Sequence, residues 1–376
     1  MTYLDHAATT PMRPAAVEAM LPFFSERFAN PSGSHRFARD ARKAIDEARD
    51  QVAASIDVKP GEVVFTGCGT EADNMAIIGA GGESRPGRVV CSAAEHHAVL
   101  HPVEHEGGTV VGVDATGHID LDQLAEALTP EVRLVTVMAV NNEVGTITDL
   151  AGVSALVRRL APQALLHTDA IQAAHWIDLR TIAPLVDTMS LSAHKFGGPK
   201  GVGVLTISES AAFSPLLRGG GQERERRSGT HNVAGIVGLA VALAETDAER
   251  AAENARIAAL RDRLLDELGA AIDGVLETVP RDRKVAGSAH VCLEAVESES
   301  LLYLLDEAEV CASAASACAS GAMEPSHVLA AMGIGRSLAT GALRMSLGRT
   351  TTAADVDRAV EVVAASVTRL RRLAVR

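Results

Sequence analysis

Between residues 62 and 206, short apolar runs alternate with stretches in which apolar residues recur at helical spacing. Most of the runs are almost continuously apolar, as in strands that are buried on both faces of a sheet. The runs are Glu62–Thr66, Arg88–Ser92, Thr109–Val113, Arg133–Val140, Ala164–Ala170, Thr188–Ser192 and Gly201–Ile207. Amphipathic stretches such as Glu71–Ala80 and Asp120–Leu128 stand between most of them. This βαβ rhythm predicts an α/β fold with a mainly parallel, seven-stranded sheet and helices on both of its sides.

The pattern changes near residue 233. An Ala-rich amphipathic stretch from Val233 to about Ile272 predicts one long helix. The C-terminal part then combines the apolar runs Ser288–Glu294 and Ala342–Gly348 with a final helical pattern that begins at Ala353. We therefore expect a large domain over 15–255 and a smaller α+β domain formed by 1–14 and 256–376.

Composition narrows the class of protein. Of the 376 residues, 47% are apolar and only 3% are aromatic, so the core must be built from aliphatic side chains. A net charge of −13 without blocks of like charge argues against nucleic acid as a direct partner. The longest apolar runs are too short to span a bilayer, and the N-terminus has no signal sequence. The five cysteines show no framework spacing, so we expect free thiols in a reducing cytoplasm.

Lysine is rare in this chain, which uses arginine for most of its positive charges. The 35 Lys and Arg residues include five lysines, and Lys195 and Lys200 stand close together in SLSAHKFGGPKGVG. Arginine is permanently protonated and cannot condense with an aldehyde, whereas a lysine with a lowered pKa can. We interpret Lys200, in a Gly-Pro turn, as a solvated charge. Lys195 follows a buried strand beside Ser192 and His194, which suits a lysine bonded to pyridoxal phosphate (PLP), with these neighbours holding the phosphate.

The segment HTDAIQ offers the polar groups that a PLP ring requires. Asp169 ends an apolar run and would keep the pyridine nitrogen protonated, while Gln172 would reach the phenolic oxygen. On its own, Asp169 is interpreted equally well as the N-cap of a helix.

Two more segments suit the other parts of the cofactor. FTGCGTEADNMA contains a strand, a turn with Gly69 and Thr70, and a helix start, which is the arrangement of a phosphate site. An ordinary βα turn would have the same pattern. In SAAEHHAVL, either His96 or His97 would stack on the ring and move protons, and the other would be a surface or core residue.

Taken together, these segments resemble the class V aminotransferase fold family, and within it the group I cysteine desulfurases of the NifS/IscS type. The resemblance covers nearly the whole chain in order, through YLDHAATTP, NPSGSHRFAR, FTGCGTEADN, EHHAV, NNEVGT, HTDAIQ, SAHKFGGPKGVG, GGGQERERRSGT, SACASG with EPSHVL, and LRMSLGRTTT. It implies the fold type I of PLP-dependent transferases.

The resemblance also implies a role for each matching residue. Lys195 would be the Schiff-base lysine, and His96 would stack on the ring as the acid/base group. The groups that would hold the cofactor are Gly69, Thr70, His96, Asn142, Asp169, Gln172, Ser192, His194, Lys195 and, from the neighbouring subunit, Thr230. Asn142 and Arg344 would contact the substrate, with Arg344 clamping its carboxylate; Arg349 is the weaker candidate for that clamp.

Cys318 is the best candidate nucleophile among the cysteines. It stands in the small-residue segment 311–322, which we expect to be a mobile loop, whereas Cys91 and Cys292 stand inside apolar strands. By the resemblance, Cys318 accepts the substrate sulfur. We expect no resident metal, although Cys318 would be a transient iron–sulfur ligand while it delivers sulfur.

The sequence thus predicts a PLP-dependent sulfurtransferase that converts L-cysteine to L-alanine and a Cys318 persulfide. The expected partners are a second subunit, in a homodimer with shared active sites, and a sulfur acceptor such as an iron–sulfur scaffold or a thiolation enzyme. Neither a membrane nor nucleic acid is expected as a direct partner. A selenocysteine lyase or another class V enzyme remains an alternative. A non-enzymatic sulfur carrier or cluster scaffold is disfavoured because the cysteines lack ligand spacing.

Overall fold

The structure is a computed structural model that describes residues 1–82, 87–314 and 326–374. Cys318 and most of the predicted loop 311–322 lie outside the described residues. Within the described ranges, no helix is both long enough and apolar enough to cross a bilayer.

Seven strands form the central sheet in the order β2-β8-β7-β6-β5-β3-β4. The described strands are β1 (Thr2–Tyr3), β2 (Val63–Thr66), β3 (Arg88–Ser92), β4 (Thr109–Val111), β5 (Val132–Thr136), β6 (Leu165–Asp169), β7 (Thr188–Ser192), β8 (Gly203–Ile207), β9 (Val275–Glu277), β10 (Ser288–Leu293), β11 (Val310–Cys311) and β12 (Ala342–Ser346). In the central sheet, β8 runs antiparallel to both of its neighbours and the remaining pairs are parallel. The predicted seven-stranded, mainly parallel sheet is confirmed.

Helices connect these strands and cover the sheet. They are α1 (Pro14–Met20), α2 (Pro22–Ser25), α3 (Arg36–Ile56), α4 (Gly69–Gly79), α5 (His97–His105), α6 (Leu121–Ala127), α7 (Leu150–Leu160), α8 (Leu179–Ile182), α9 (Val233–Ala271), α10 (Ser298–Glu307), α11 (His327–Ala331), α12 (Arg336–Ala339) and α13 (Ala353–Ala374). The long helix α9 begins where the sequence predicts it, with the Asn232 side chain accepting a hydrogen bond from Gly235 N at 3.0 Å.

Two of the apolar cores pack against different sheets. One packs the central sheet through Met189, Leu191 and Phe196. The other packs the small sheet β12-β10-β9 through residues such as Val291, against Leu301 of α10. Fully burying such a side chain contributes roughly 2 kcal/mol, so each core stabilises its own layer of the molecule. The division into a large domain, 15–255, and a small domain, 1–14 with 256–376, remains a prediction.

Several strands are shorter than the apolar runs that predict them. The run 133–140 yields a strand that ends at Thr136, although Val137 N and Ala139 N still bond to carbonyls of β6 at 3.1 and 2.9 Å. The run 201–207 begins its strand at Gly203, because Gly201 adopts a positive φ of 78° in the preceding turn. Hydropathy reflects the burial of side chains rather than the hydrogen bonds between strands. The apolar runs therefore extend past the ends of the strands.

Four strands of the central sheet end in polar residues, two of which, Asp169 and Ser192, belong to the predicted site. Thr66, Ser92, Asp169 and Ser192 are the last residues of β2, β3, β6 and β7. Since most of these strands are parallel, their ends meet at one edge of the sheet, where open α/β sheets bind ligands.

Candidate active site

A cavity of about 330 Å³ opens at this edge of the sheet. Ten predicted site residues line it: Gly69, Thr70, His96, Asn142, Asp169, Gln172, Ser192, His194, Lys195 and Arg344. The structure therefore brings together residues that are up to 275 positions apart in the chain, from Gly69 to Arg344.

Lys195 ends a single helical turn that follows β7 directly. Its Nζ donates hydrogen bonds to Ala7 O at 2.6 Å and to Ala8 O at 2.9 Å. Burial lowers the pKa of the amine, and the charge of Arg344 lowers it further, to about 8. A substantial fraction of the amine is therefore neutral in mildly alkaline solution and able to act as a nucleophile.

Asp169 is a buried carboxylate at the end of β6. Its Oδ1 accepts a hydrogen bond from Ile171 N at 2.8 Å, and no helix begins there, so the N-cap interpretation is wrong. Burial raises the pKa of Asp169 to about 8, with Asp73 adding to the rise and Lys195 opposing it. A cationic partner in the cavity would therefore be needed to keep Asp169 ionised at neutral pH. Gln172 is fixed nearby through its Nε2, which donates to Ala7 O at 2.8 Å.

The N-terminus of α4 also lines the cavity. Gly69 begins the helix, and a Cβ at this position would lie 2.2 Å from Ile171 Cδ1, so a larger residue would displace that side chain. The first backbone N–H groups of a helix favour an anion. Ser192 and His194 line the same cavity. Burial lowers the pKa of His194 to about 4, so its ring is neutral at physiological pH.

His96 is the N-cap of α5 and is exposed to the cavity. Its Nδ1 accepts a hydrogen bond from Ala98 N at 3.0 Å, which leaves the ring proton of the neutral form on Nε2. Burial, followed by the charge of Lys195, lowers the pKa of His96 to about 4. The structure therefore presents His96 as a neutral ring with its proton on Nε2. His97 is turned away and packs its ring against those of His101 and His327.

Arg344 in β12 is held from two sides. Its Nη2 pairs with Asp5 Oδ1 at 2.7 Å, and its Nη1 donates to Asn142 O at 2.9 Å. Two buried atoms here, Arg344 Nε and Asn142 Oδ1, have no hydrogen-bond partner among the described residues. Both residues line the cavity, so the Arg344 Nε–H group can donate to a ligand and the Asn142 amide oxygen can accept from one.

Three residues in or beside the site, Asp5, Asp73 and His167, were not predicted from the sequence. Asp5 orients Arg344, as described above. Asp73 lines the cavity, and its Oδ1 lies 3.4 Å from His167 Nε2. Burial raises the pKa of Asp73 to about 7. An acidic residue inside a largely apolar helical stretch, as in TEADNMAIIGA, is the sequence signal that could have identified Asp73. For His167 the signal is its position two residues before Asp169, which puts both side chains on the same face of the strand.

Two predicted residues are not in this cavity. Thr230 is exposed and does not line the cavity of its own chain. Arg349 lines a separate small cavity beside Arg13 and His175, which leaves Arg344 as the guanidinium that lines the cavity.

The flanks of the segment that contains Cys318 are described, and both lie beside the cavity. Ser313 exchanges two backbone hydrogen bonds with Arg344, at 3.1 and 2.7 Å. Ser326 donates its hydroxyl proton to the Glu143 carboxylate, next to Asn142.

Among the described thiols, Cys91 and Cys292 are buried; burial raises the pKa of Cys91 strongly and that of Cys292 to about 12. Cys68 is exposed and lines the cavity, so it is the second thiol that experiments must control.

A metal centre is not evident in the described ranges, where no cluster of three or more His, Cys, Asp or Glu side chains has metal-binding geometry.

Comparison with known proteins places the chain in a family. A sequence profile described as aminotransferase class-V matches residues 2–359. An IscS-like cysteine desulfurase of Mycobacterium tuberculosis is 44% identical over 389 residues, which cover 100% of this chain and 98% of the relative. A cysteine desulfurase of Gluconacetobacter diazotrophicus is 42% identical over 99% of this chain and 94% of its own. A solved NifS-like protein superposes with a TM-score of 0.89 and 33% identity, covering 97% of this chain and 98% of its own. The chain therefore belongs to the class-V aminotransferase family and, within it, to the cysteine desulfurases of the NifS/IscS type.

Proposed function

We propose that this protein is a PLP-dependent cysteine desulfurase, which removes the sulfur of L-cysteine, releases L-alanine and carries the sulfur as a persulfide on Cys318. The observation that carries the proposal is the position of Lys195, a lysine with a pKa of about 8, in the cavity that Asp169, His96 and Arg344 also line. The full-length similarity to cysteine desulfurases supports the same conclusion.

The residues of the cavity fit PLP. The N-terminus of α4, with Gly69 at a position where a Cβ would collide with Ile171, suits the phosphate. Asp169 requires a cation, and a protonated pyridine nitrogen is one. The unpartnered Asn142 Oδ1 and the side chain of Gln172 suit the polar edge of the ring. When bound, PLP would supply an aldehyde for amines and an electron sink for bonds at the substrate Cα and Cβ.

Lys195 would have two tasks in this mechanism. Its neutral amine would hold the cofactor covalently. The same amine, when free, would be the base that removes the proton from the substrate Cα. A pKa near 8 suits both tasks, because an ordinary lysine would be almost fully protonated at neutral pH.

Arg344 and His96 would orient the substrate and move its protons. The Arg344 guanidinium, already directed by Asp5, would bind the substrate carboxylate. His96 can exchange a proton with the substrate thiol only through Nε2, because Nδ1 accepts the Ala98 amide.

Cys318 would complete the sulfur transfer. Its thiolate would attack the substrate sulfur, so that an S–S bond forms while the Cβ–S bond breaks, and the electron pair of the broken bond stays with the carbon skeleton. Protonation of that skeleton yields L-alanine. The flanking residues Ser313 and Ser326 contact Arg344 and Glu143, respectively, which supports access of the intervening chain to the cavity. Cys318 comes five positions after Ser313, and an extended chain of five residues spans roughly 17 Å.

We also propose the assembly and the setting in which the enzyme acts. Thr230 is exposed and outside its own cavity, which suits a homodimer in which it completes the phosphate site of the other subunit. The acceptor of the persulfide would be an iron–sulfur scaffold or a thiolation enzyme, in the cytoplasm.

The test is to locate the sulfur after L-cysteine has been added. Mass spectrometry of the holoenzyme should show one extra sulfur atom at position 318 and formation of L-alanine. A Cys318→Ser variant should lose both and keep the visible absorption band of the Lys195-bound cofactor. A Cys68→Ser variant is the matched control and should behave as wild type. An extra sulfur at Cys68, or alanine formation by the Cys318→Ser variant, would contradict the proposal.

A further inference from the structure

The segment between β8 and α9 contains an unusual stretch of backbone. Three consecutive residues that are not glycine, Glu223, Arg224 and Glu225, have positive φ angles of 48°, 56° and 66°. This region is costly for residues with a Cβ, and it persists where the surrounding structure imposes it. The contacts of Glu223 identify what imposes it here.

Glu223 is a buried carboxylate that joins this segment to α3 and β2. Arg49 of α3 donates two parallel hydrogen bonds to it, both 2.7 Å long, and Phe65 N of β2 donates another at 2.9 Å. His231 Nε2 lies 2.8 Å from the same carboxylate. Burial alone would raise the pKa of Glu223, but His231 and Arg49 outweigh it and lower the pKa to about 2. The carboxylate is therefore ionised and bonded on both oxygens.

A second contact connects this segment to α4, whose first residues line the cavity. Arg227 Nε donates to Glu71 Oε1 at 2.7 Å, and Glu71 Oε2 accepts a hydrogen bond from Gly67 N at 2.8 Å. Glu71 belongs to the first turn of α4, the turn that begins at Gly69. The segment is thus tied at Glu223 and at Arg227 to the elements around the proposed phosphate site.

Thr230 comes directly after these ties and is exposed. Gly229 N donates to Gln222 Oε1 at 2.9 Å, which closes the loop immediately before it. The two neighbours of Thr230 are therefore held, while Thr230 itself does not reach the cavity of its own chain.

We propose that the Glu223–Arg49–His231 cluster is a positioning device that acts in trans: it fixes the loop so that Thr230 meets the cofactor phosphate in a second copy of the chain. This inference rests on the proposed function, in which the two subunits share their sites. A loop that is ordered before the subunits associate loses little conformational freedom when Thr230 binds the phosphate. Glu223 and Arg49 thereby serve the site of the other subunit without touching its cofactor.

The first experiment measures how fast the dimer loses PLP. Glu223→Gln keeps the shape of the side chain and removes its charge, and Thr230→Ala removes the delivered hydroxyl. We expect both to accelerate PLP dissociation by roughly tenfold, the usual effect of losing a hydrogen bond to a charged group. Glu106→Gln, which removes the negative charge of the 3.0 Å pair with Arg133, is the matched control and should leave the rate unchanged. Sedimentation should show dimers throughout.

The second experiment separates action in trans from action within one chain. In a mixed dimer, one chain carries Glu223→Gln and the other carries Lys195→Ala, so only the first chain can form the Lys195-bound cofactor with its visible band. That site receives Thr230 from the chain with an intact Glu223, and its PLP dissociation should return to the wild-type rate. In the reciprocal dimer, with both substitutions on one chain and a wild-type partner, the wild-type site should lose PLP roughly tenfold faster.

Fast PLP loss in the first mixed dimer and a wild-type rate in the reciprocal dimer would overturn the inference. The cluster would then act on the site of its own chain. If Thr230→Ala left PLP dissociation unchanged, the shared site itself would be wrong, whatever the result for Glu223. Should Glu223→Gln fail to fold, Arg49→Lys keeps the positive charge but loses the two-pronged geometry. Its mixed dimers should show the same pattern with a smaller change, and rates independent of the partner chain would contradict the inference.

Discussion

Lys195, which is partly buried, and Lys284, which is buried, differ in what surrounds the amine. Lys284 Nζ lies 2.8 Å from Glu277 Oε1, with its side chain fully buried. Burial lowers the pKa of Lys284, and the carboxylate opposes that change. Lys195 Nζ instead donates to two neutral carbonyls, and burial together with Arg344 lowers its pKa to about 8.

The comparison shows that burial alone does not make a lysine reactive. A bonded carboxylate keeps the charge on Lys284 and occupies its amine, so this residue stabilises the structure. Lys195 has no bonded carboxylate among the described residues, faces a cavity and lies near a second cation, so its amine can lose the proton and reach a ligand.

Lys195→Ala should abolish the visible band of the bound cofactor and reduce kcat by roughly 10³-fold or more, because both the covalent attachment and the base are lost. Absorption spectra and alanine release measure the two effects. Lys200→Ala removes an exposed lysine five residues away and should leave both unchanged. A normal band in the Lys195 variant would refute the assignment.

Arg344→Gln should raise the KM for L-cysteine by roughly 100-fold, because the bonds to the substrate carboxylate are charge-assisted. Steady-state kinetics with L-cysteine measure this change. Spectral titration with cysteamine, which lacks a carboxylate, provides the comparison. Cysteamine should bind the variant and the wild type almost equally; an equal loss for both ligands would show that Arg344 does not recognise the carboxylate.

Lys284→Ala should destabilise the fold by about 2 kcal/mol, because it leaves the partly buried Glu277 carboxylate without its closest cation. Urea unfolding of the purified protein measures the free energy of unfolding. The cofactor band should stay normal in the folded variant. A loss of the band without a loss of stability would place Lys284 in the active site and end the comparison.

The pH dependence of cofactor attachment should follow the pKa of Lys195. Only the neutral amine attacks the aldehyde, so the rate of PLP incorporation into the apoprotein should rise with pH and level off above about 8. The charge of Asp5 raises the pKa of Lys195, and Asp5→Asn should therefore shift this midpoint to lower pH. Stopped-flow spectra measure the profile. A midpoint near the ordinary lysine value of about 10.4 would contradict the account.

The same contrast explains what the sequence could predict. Parallel strands that are buried on both faces produce continuous apolar runs, so the sheet and its polar carboxyl edge were evident from Asp169, Ser192 and the turn at Gly69. The scarcity of lysine indicated a specific role for Lys195. Nothing local marked Lys284 as buried, because its partner Glu277 and its cover come from packing between elements.

Other features of the site could not be predicted from local sequence patterns. The pairing of Asp5 with Arg344 joins residues 339 positions apart, and the carbonyls of Ala7 and Ala8 that hold Lys195 have no side-chain signal at all. The strand ends at Thr136 and Gly203 depend on turn geometry, which hydropathy does not record. Long-range contacts and backbone conformation are set by the tertiary fold.

Borohydride reduction of the holoenzyme, followed by peptide mapping, identifies the lysine that carries the cofactor. Reduction fixes the cofactor on the lysine that carries it, so each of the five lysines is examined in one experiment. We expect a single modified residue, Lys195, with Lys284 and Lys200 unmodified. A modification at any other lysine, with none at Lys195, would contradict the account.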